Sequence, residues 1–377
     1  MRLFIFSRRA QIRGLDFSLA IIIFSLTITQ VLILTDTFIS GNRTVINLDQ
    51  QSELTNTLAI ELVESNGYYG AGISNWANVP TPALTSSTWN LGLSTSGQID
   101  PFKLGRLSNW SLSDYALSYN NIQQGLNVSV PISIQVLNQI DLNITSVQNG
   151  VQDLIVKGSV TKLSKPLNQA QVWIYGLSSS GEVVQSYITT NTDGMFSTDL
   201  IYSGPVAGDY FSVVGFAKYG ESSQDSDVYY YDTGLGAVPN TQISIFSSNN
   251  FAQGYVVNTT TDFGVGVDSG QMYAFYPGMA TGVLNYTIST LSASTGNLWT
   301  NDTVQIPQSG MAVFVGLGYQ GSTLQAISSI DFPIALNGHP SAIIKPSTTP
   351  QNTSSSVIIP MTVRDVILQL QLTIWEA

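Results

Sequence analysis

Cysteine is absent from the 377 residues, so neither a disulfide nor a thiolate-bound metal is available to this chain. Histidine occurs once, at His339, which excludes a multi-histidine metal site and leaves one imidazole for any serine-type triad. That residue stands in Asn337-Gly338-His339-Pro340, a turn sequence. The G-x-S-x-G elbow of serine hydrolases is missing as well. Charge is scarce: Asp, Glu, Lys and Arg make up 10% of the residues, against about 25% in an average soluble protein. The 13 basic residues are outnumbered by 24 acidic ones, and Arg2, Arg8, Arg9 and Arg13 all precede the first hydrophobic run. No basic patch is left for a nucleic acid. These absences read as a protein with no catalytic site, no metal and no cofactor.

Apolar residues are plentiful, at 43%, and their spacing divides the chain. Residues 15–39 are apolar apart from Asp16, Asp36 and a few hydroxyl or amide residues, long enough to cross a hydrocarbon layer of about 30 Å as a helix. The arginines before it and the near absence of basic residues just after it orient the N-terminus to the cytoplasm, with membrane lipid as its partner and the bulk of the chain outside. A secretory signal peptide is the alternative, but the run exceeds the usual h-region of about 7–15 residues. Helical spacing continues through Val45, Leu48, Leu54, Leu58, Leu62 and Val63 to a stop at Asn66-Gly67.

Three stretches carry a family likeness. They are Arg8-Arg9-Ala10-Gln11 followed by Gly14-Leu15-Asp16-Phe17, the run from Leu58-Ala59-Ile60 to Asn66-Gly67-Tyr68, and Trp89-Asn90-Leu91-Gly92-Leu93 with Gly97-Gln98-Ile99-Asp100 and Lys103-Leu104. In these the first third of the chain resembles archaeal type IV pilin-like proteins with a class III signal peptide. The resemblance implies cleavage by a class III signal peptidase after Ala10, leaving Gln11 first. It also implies that Asp16 meets a neighbouring like subunit, so that subunits assemble into a filament through the N-terminal helix. Asp16 falls sixth, not fifth, and Arg13 replaces a small polar residue. Read without the resemblance, Asp16 is a solvated carboxylate favoured at a helix N-terminus.

Beyond the helix the period changes to two. Val128, Val130, Ile132, Ile134 and Val136 alternate with polar residues, as do Leu368, Leu370, Leu372 and Ile374, and the two runs are expected to share one sheet. Pro131 suggests an edge position for the first. Residues 102–107 read as a short helix, and Asp193-Gly194 as a hairpin turn. Residues 156–217 hold short strands with glycine-bearing turns and resemble immunoglobulin-like and carboxypeptidase-regulatory-like β-sandwiches. The expected fold class is therefore α+β: a long N-terminal transmembrane helix followed by mainly antiparallel β domains including an immunoglobulin-like sandwich. The segments are a basic leader at 1–14, the helix at 15–66, a pilin-like head at 67–145, a sandwich at 151–235, further β structure at 236–355 and closing strands at 356–377.

Eight Asn-x-Ser/Thr sequons, at Asn42, Asn109, Asn127, Asn143, Asn258, Asn285, Asn301 and Asn352, all lie on the expected outer side as glycosylation sites. Asp225, Asp227 and Asp232 form the densest acidic group and read as solvated loop carboxylates, with a calcium site as the alternative. Tyr229-Tyr230-Tyr231, Trp76, Trp89 and Trp299 read as core aromatics before binding ones. The function these readings support is a membrane-anchored surface structural protein presenting β domains. An adhesin or ligand-binding surface protein is the alternative, and a secreted carboxylate glycosidase the third.

Overall fold

The computed structural model describes residues 28–30, 49–70, 76–84, 89–107, 116–236, 238, 240–241, 243–251, 254–278, 286–294, 297–333, 342–346 and 353–375. The chain divides into two compact units, Met1–Leu54 and Thr55–Ala377. In the first, residues 28–30 and 49–54 are helical. Ala10, Gln11, Asp16 and most of residues 15–48 lie outside the described residues.

The expectation of an α+β fold built on a long N-terminal helix is corrected. The described residues are dominated by β-strands in sandwich-like layers, and among them no helix is long and apolar enough to cross a membrane. The physical reason is composition: from residue 127 onward, β-branched and aromatic residues alternate with Ser, Thr and Asn. That pattern suits a half-buried pleated surface and offers no 3.6-residue stripe.

The second unit opens with helical residues 55–64, whose Thr55, Leu58, Ala59 and Leu62 are buried at i, i+3, i+4 and i+7. Leu58, Ala59 and Leu62 join one core with a four-stranded antiparallel sheet in the order Ala342–Ile344, Ile132–Asn138, Val366–Trp375, Ser354–Val363. The two alternating runs thus pair directly: Leu370 lies opposite Val136, Leu372 opposite Ile134 and Ile374 opposite Ile132. Pro131 stands just before a strand flanked on both sides, and its carbonyl accepts the Trp375 N–H at 3.0 Å. The edge position suggested by this proline is not the one adopted.

Between these head strands lie two sandwiches. The first packs Met195–Ile201, Asp153–Lys162 and Asp141–Asn149 against Val183–Thr189, Gln171–Ser178, Tyr210–Tyr219 and Ser223–Asp232. Leu142, Val156, Ile174 and Phe211 fill its core. Its Asn191–Met195 turn is held by Asn191, whose Oδ1 accepts the N–H groups of Asp193 and Met195, with Gly194 at φ +69°. The second sandwich is an eight-stranded path from Asn240–Thr241 round to Ile243–Phe251, curled so that Ile243, Val257, Met272, Phe314 and Ile330 share one core.

The two sandwiches are stacked. The outer face of Gln171–Ser178 and Tyr210–Tyr219 puts Tyr175, Leu177, Val214 and Phe216 into the same core as Tyr273, Phe275, Val313 and Val315. Strands Gln171–Ser178 and Ala312–Gln320 are therefore buried on both faces, which is why they read as near-continuous apolar runs. Polar contacts pin the layers. Tyr175 Oη donates to the Tyr276 carbonyl at 2.9 Å, Met311 N–H donates to Gln224 Oε1 at 3.1 Å, and Tyr230 Oη donates to Ser329 Oγ. At the tip of the closing hairpin, the Arg364 guanidinium donates to the Pro307 and Gln308 carbonyls and stacks 4.8 Å from the Phe332 ring centroid. Ile367 N–H donates to the Ser222 carbonyl at 3.0 Å, so the same hairpin touches both sandwiches.

Candidate functional site

The chain leaves the head sheet at Asn138 and enters the first sandwich at Asp141. A groove of about 220 Å³ lies at this crossing, lined by the polar Asn138, Gln139, Asp141, Thr161, Ser164, Asp225 and Gln369 and by the apolar Leu137, Ile140 and Leu163. Strand periodicity aims these groups. In Ser223–Asp232 the even positions face the second sandwich, where Gln224, Val228 and Tyr230 make their contacts, and the odd positions face the first. Asp225 and Asp227 accordingly reach the edge strand Asp141–Asn149, accepting the backbone N–H of Leu142 at 2.6 Å and of Ile144 at 2.7 Å, while Tyr231 Oη accepts that of Asn149 at 3.2 Å. Three edge donors that would otherwise be open to another strand are closed by side chains.

Asp225 also meets the Asn138 side-chain amide, whose other end is buried without a partner. Burial pushes the Asp225 carboxyl up to about 8, with the nearby Asp141 charge adding to the effect and the hydrogen bonds to Leu142, Ser226 and Asn138 opposing it. An un-ionised carboxyl needs an acceptor for its proton, and the Asn138 amide, turned over, offers one. On the opposite side of the same strand Asp331 is buried and held well above the usual carboxylate range, by burial first and then by the Asp225 and Asp227 charges; Ser226 opposes this.

Both shifts have the same sign. An aspartate in the unfolded chain titrates near 3.9, so folding takes up a proton between that value and about 8. The stabilisation is complete below the unfolded value and lost as pH rises through about 8. The melting temperature is therefore expected to fall steadily from pH 4 to pH 9, with Asp225→Asn reducing the slope and Asp225→Asn combined with Asp331→Asn removing most of it. A melting temperature that rises over this range would contradict the assignment.

The reading of Asp225, Asp227 and Asp232 as solvated loop carboxylates is corrected. All three lie in one strand, Asp225 is 3% exposed, and only Asp232 is exposed. Spacing along the chain marked the acidic group but not its burial, because its partners lie 83 to 87 residues away. Among the described residues no group of three or more His, Asp or Glu side chains is placed to hold a metal. Asn138, Leu163 and Gln369 were not singled out by sequence; the signal for Leu163 was an apolar residue between Lys162 and Ser164-Lys165 in a two-residue turn.

Of the sequon asparagines, Asn127 and Asn143 are exposed, Asn127 at φ +54°. Asn258 and Asn301 lie on strands, their side chains outside the described residues, and Asn42, Asn109, Asn285, Asn352 and His339 lie wholly outside them. Trp76 and Trp89 are buried with ring centroids 5.6 Å apart, Trp299 is 8% exposed, and the three consecutive tyrosines are half-buried on alternate faces.

The two motif stretches near the start of this unit meet. Leu93 N–H donates to the Leu62 carbonyl at 2.8 Å and Ser94 N–H to the Ser65 carbonyl at 3.0 Å, bringing Gly92 against Gly67. Lys103, fully buried, donates to the Asn66 and Ser94 carbonyls at 2.6 Å each, and burial lowers its pKa against the opposing pull of Asp100.

No family model matches the chain, and no curated protein does. Among solved structures, a tetra-tandem repeat from the extending region of a large adhesion protein is 18% identical over 52% of this chain and 49% of that one, with a TM-score of 0.23. Red sea bream transglutaminase is 10% identical over 58% of this chain and 34% of that one, with a TM-score of 0.20. The chain thus spans about half and about a third of those two lengths, and similarity at this level carries no argument about fold or activity.

Proposed function

We propose that the protein is a structural component of a cell surface, which holds stacked β layers away from a membrane as one stiff body. The observation that carries this reading is the locking of the layers: a single core runs from the head sheet into the interface between the sandwiches, and the Arg364 hairpin ties both to the head. Buried aromatics such as Tyr175, Phe216 and Phe275 contribute about 2–3 kcal/mol each to that interface. A hydroxyl-rich, weakly charged exterior suits display at a surface. The apolar run of residues 15–39 is the membrane contact in this proposal. Cleavage between Ala10 and Gln11 by a class III signal peptidase, and contact of Asp16 with like subunits through the N-terminal segment, belong to it too, supported by the resemblance of the first third of the chain. The exposed Asn127 and Asn143 are its first candidates for glycosylation.

On intact native cells, a membrane-impermeant amine reagent is expected to label the exposed Lys157 and Lys165. Mass spectrometry of the recovered protein is expected to find Gln11 as its first residue. Lysines protected until the cells are lysed would overturn the surface reading, and an intact Met1 would overturn the processing. A second reading, a ligand-binding surface protein, is favoured by one specific feature, the groove at Asn138 and Asp225.

A further inference from the structure

Four separate parts of the chain converge on that groove: the Asn138–Asp141 crossing, Thr161 with the Leu163-Ser164 turn, Asp225 on its strand, and Gln369 on the closing strand. At roughly 30 Å³ per water, its 220 Å³ would hold about seven. Its polar groups are carboxyls, amides and hydroxyls, with no Lys or Arg among the lining residues, so an anion finds no counter-charge there. A cation fares little better, because the buried Asp225 carboxyl favours its un-ionised form and the described residues include no three-acid group. A ligand that both donates and accepts, and is itself uncharged, matches what remains.

Two further details point the same way. One end of the Asn138 amide is buried and unpartnered beside Asp225, a hydrogen-bonding group left over at the groove. Secondly, Leu163 and Ser164 occupy left-handed conformations at φ +50° and +63°, a turn geometry that ordinarily calls for Asn-Gly. Here it holds an apolar side chain, 86% exposed, in the lining of the groove, whose surface mixes polar and apolar groups. Sugar rings present hydroxyls on their edges and C–H groups on their faces, and so match amide and carboxyl groups flanked by an aliphatic contact.

We propose that the groove binds a neutral saccharide unit, with Asn138, Asp141, Asp225 and Gln369 reading its hydroxyls and Leu163 covering one face of the ring. This deepens the ligand-binding reading above and is independent of the anchoring and processing proposals.

The test is methyl NMR on the full chain, labelled at Leu and Ile and kept in a detergent without a sugar headgroup, titrated with glucose, galactose, mannose and N-acetylglucosamine. At least one of these is expected to shift the Leu137, Ile140 and Leu163 methyl signals saturably, leaving those of the distant Ile245 and Leu291 in place. Leu163→Ser and Gln369→Ala are each expected to weaken that response roughly five- to tenfold while the distant signals confirm a folded chain. The proposal falls if none of the four sugars moves the three groove methyls, if both variants respond like the parent chain, or if calcium chloride alone moves them and the sugars do not. None of those failures bears on the surface labelling, which tests the structural reading separately.

Discussion

Gly92→Ala is expected to lower the melting temperature by about 10 °C or to prevent accumulation of folded protein. A methyl group at Gly92 would fall well inside 3.0 Å of both Gly67 N and Ser65 O, and the atoms it meets are backbone, which cannot rotate away. The segment holding Gly92 is fixed before it by the Leu91 N–H bond to the Gly125 carbonyl at 2.8 Å and after it by the Leu93 and Ser94 hydrogen bonds to Leu62 and Ser65, and Trp76 Nε1 donates to the Gly92 carbonyl at 2.8 Å. Relief would require breaking some of these, at a cost of about 3–4 kcal/mol in all. Gly97→Ala is the comparison: that glycine, unlike Gly92, has a positive φ, +82°, but nothing lies within 4 Å of its added methyl. Only the backbone penalty of about 1–2 kcal/mol applies there. Equal melting temperatures for the two variants, measured by circular dichroism, would show that the Gly67–Gly92 approach is not the constraint.

The second large effect is expected at Arg106, which is 1% exposed. Its Nη1 donates to the carbonyls of Trp76 and Ala77 at 2.7 and 2.9 Å, its Nη2 donates to Thr81 Oγ1 at 3.1 Å, and the guanidinium lies 5.6 Å from the Trp76 ring centroid. Thr81 Oγ1 in turn donates to the Ala116 carbonyl at 3.0 Å, so one side chain organises two connecting segments. Arg106→Leu keeps much of the volume but takes the guanidinium donor from the buried Ala77 carbonyl and leaves the Trp76 carbonyl with the Val79 N–H alone, at 3.1 Å, for a total of about 2–4 kcal/mol with the lost Thr81 contact. Arg106→Lys is expected to recover less than half of this, because a compact ammonium cannot reproduce the planar fork. A red-shifted tryptophan emission in Arg106→Leu, reporting water at Trp76, would accompany the loss. A melting temperature unchanged from the parent would show that other groups satisfy these carbonyls.

Local pattern alone determined several parts of this molecule. The alternation in residues 132–136 and 368–374 marks one buried face per strand. Because register is set by matching those faces, it also anticipated that the two runs, more than 200 residues apart, share a sheet. The short helix Pro101–Leu107 and the turn at Asp193-Gly194 were legible for the same reason: their signals lie within a few residues. The missing cysteines and the lone histidine narrowed the chemistry without any structure.

What only the tertiary structure decided is which faces have a second neighbour. Ala312–Gln320 is legible as an apolar strand, but what covers its two faces is not: one packs into its own sandwich and the other against the neighbouring one. Lys103 and Arg106, polar residues on a seven-residue helix, are buried by segments that supply carbonyls from as far as 37 residues away. Asp225 belongs to an acidic run that suits solvent, and it lost its water to the strand Asp141–Asn149 packed across it. Periodicity reports the exposure of a strand to its own sheet's core. It carries no information about a layer contributed from elsewhere in the chain, and the groove, the raised carboxyl and the sealed edge all arise at such layer contacts.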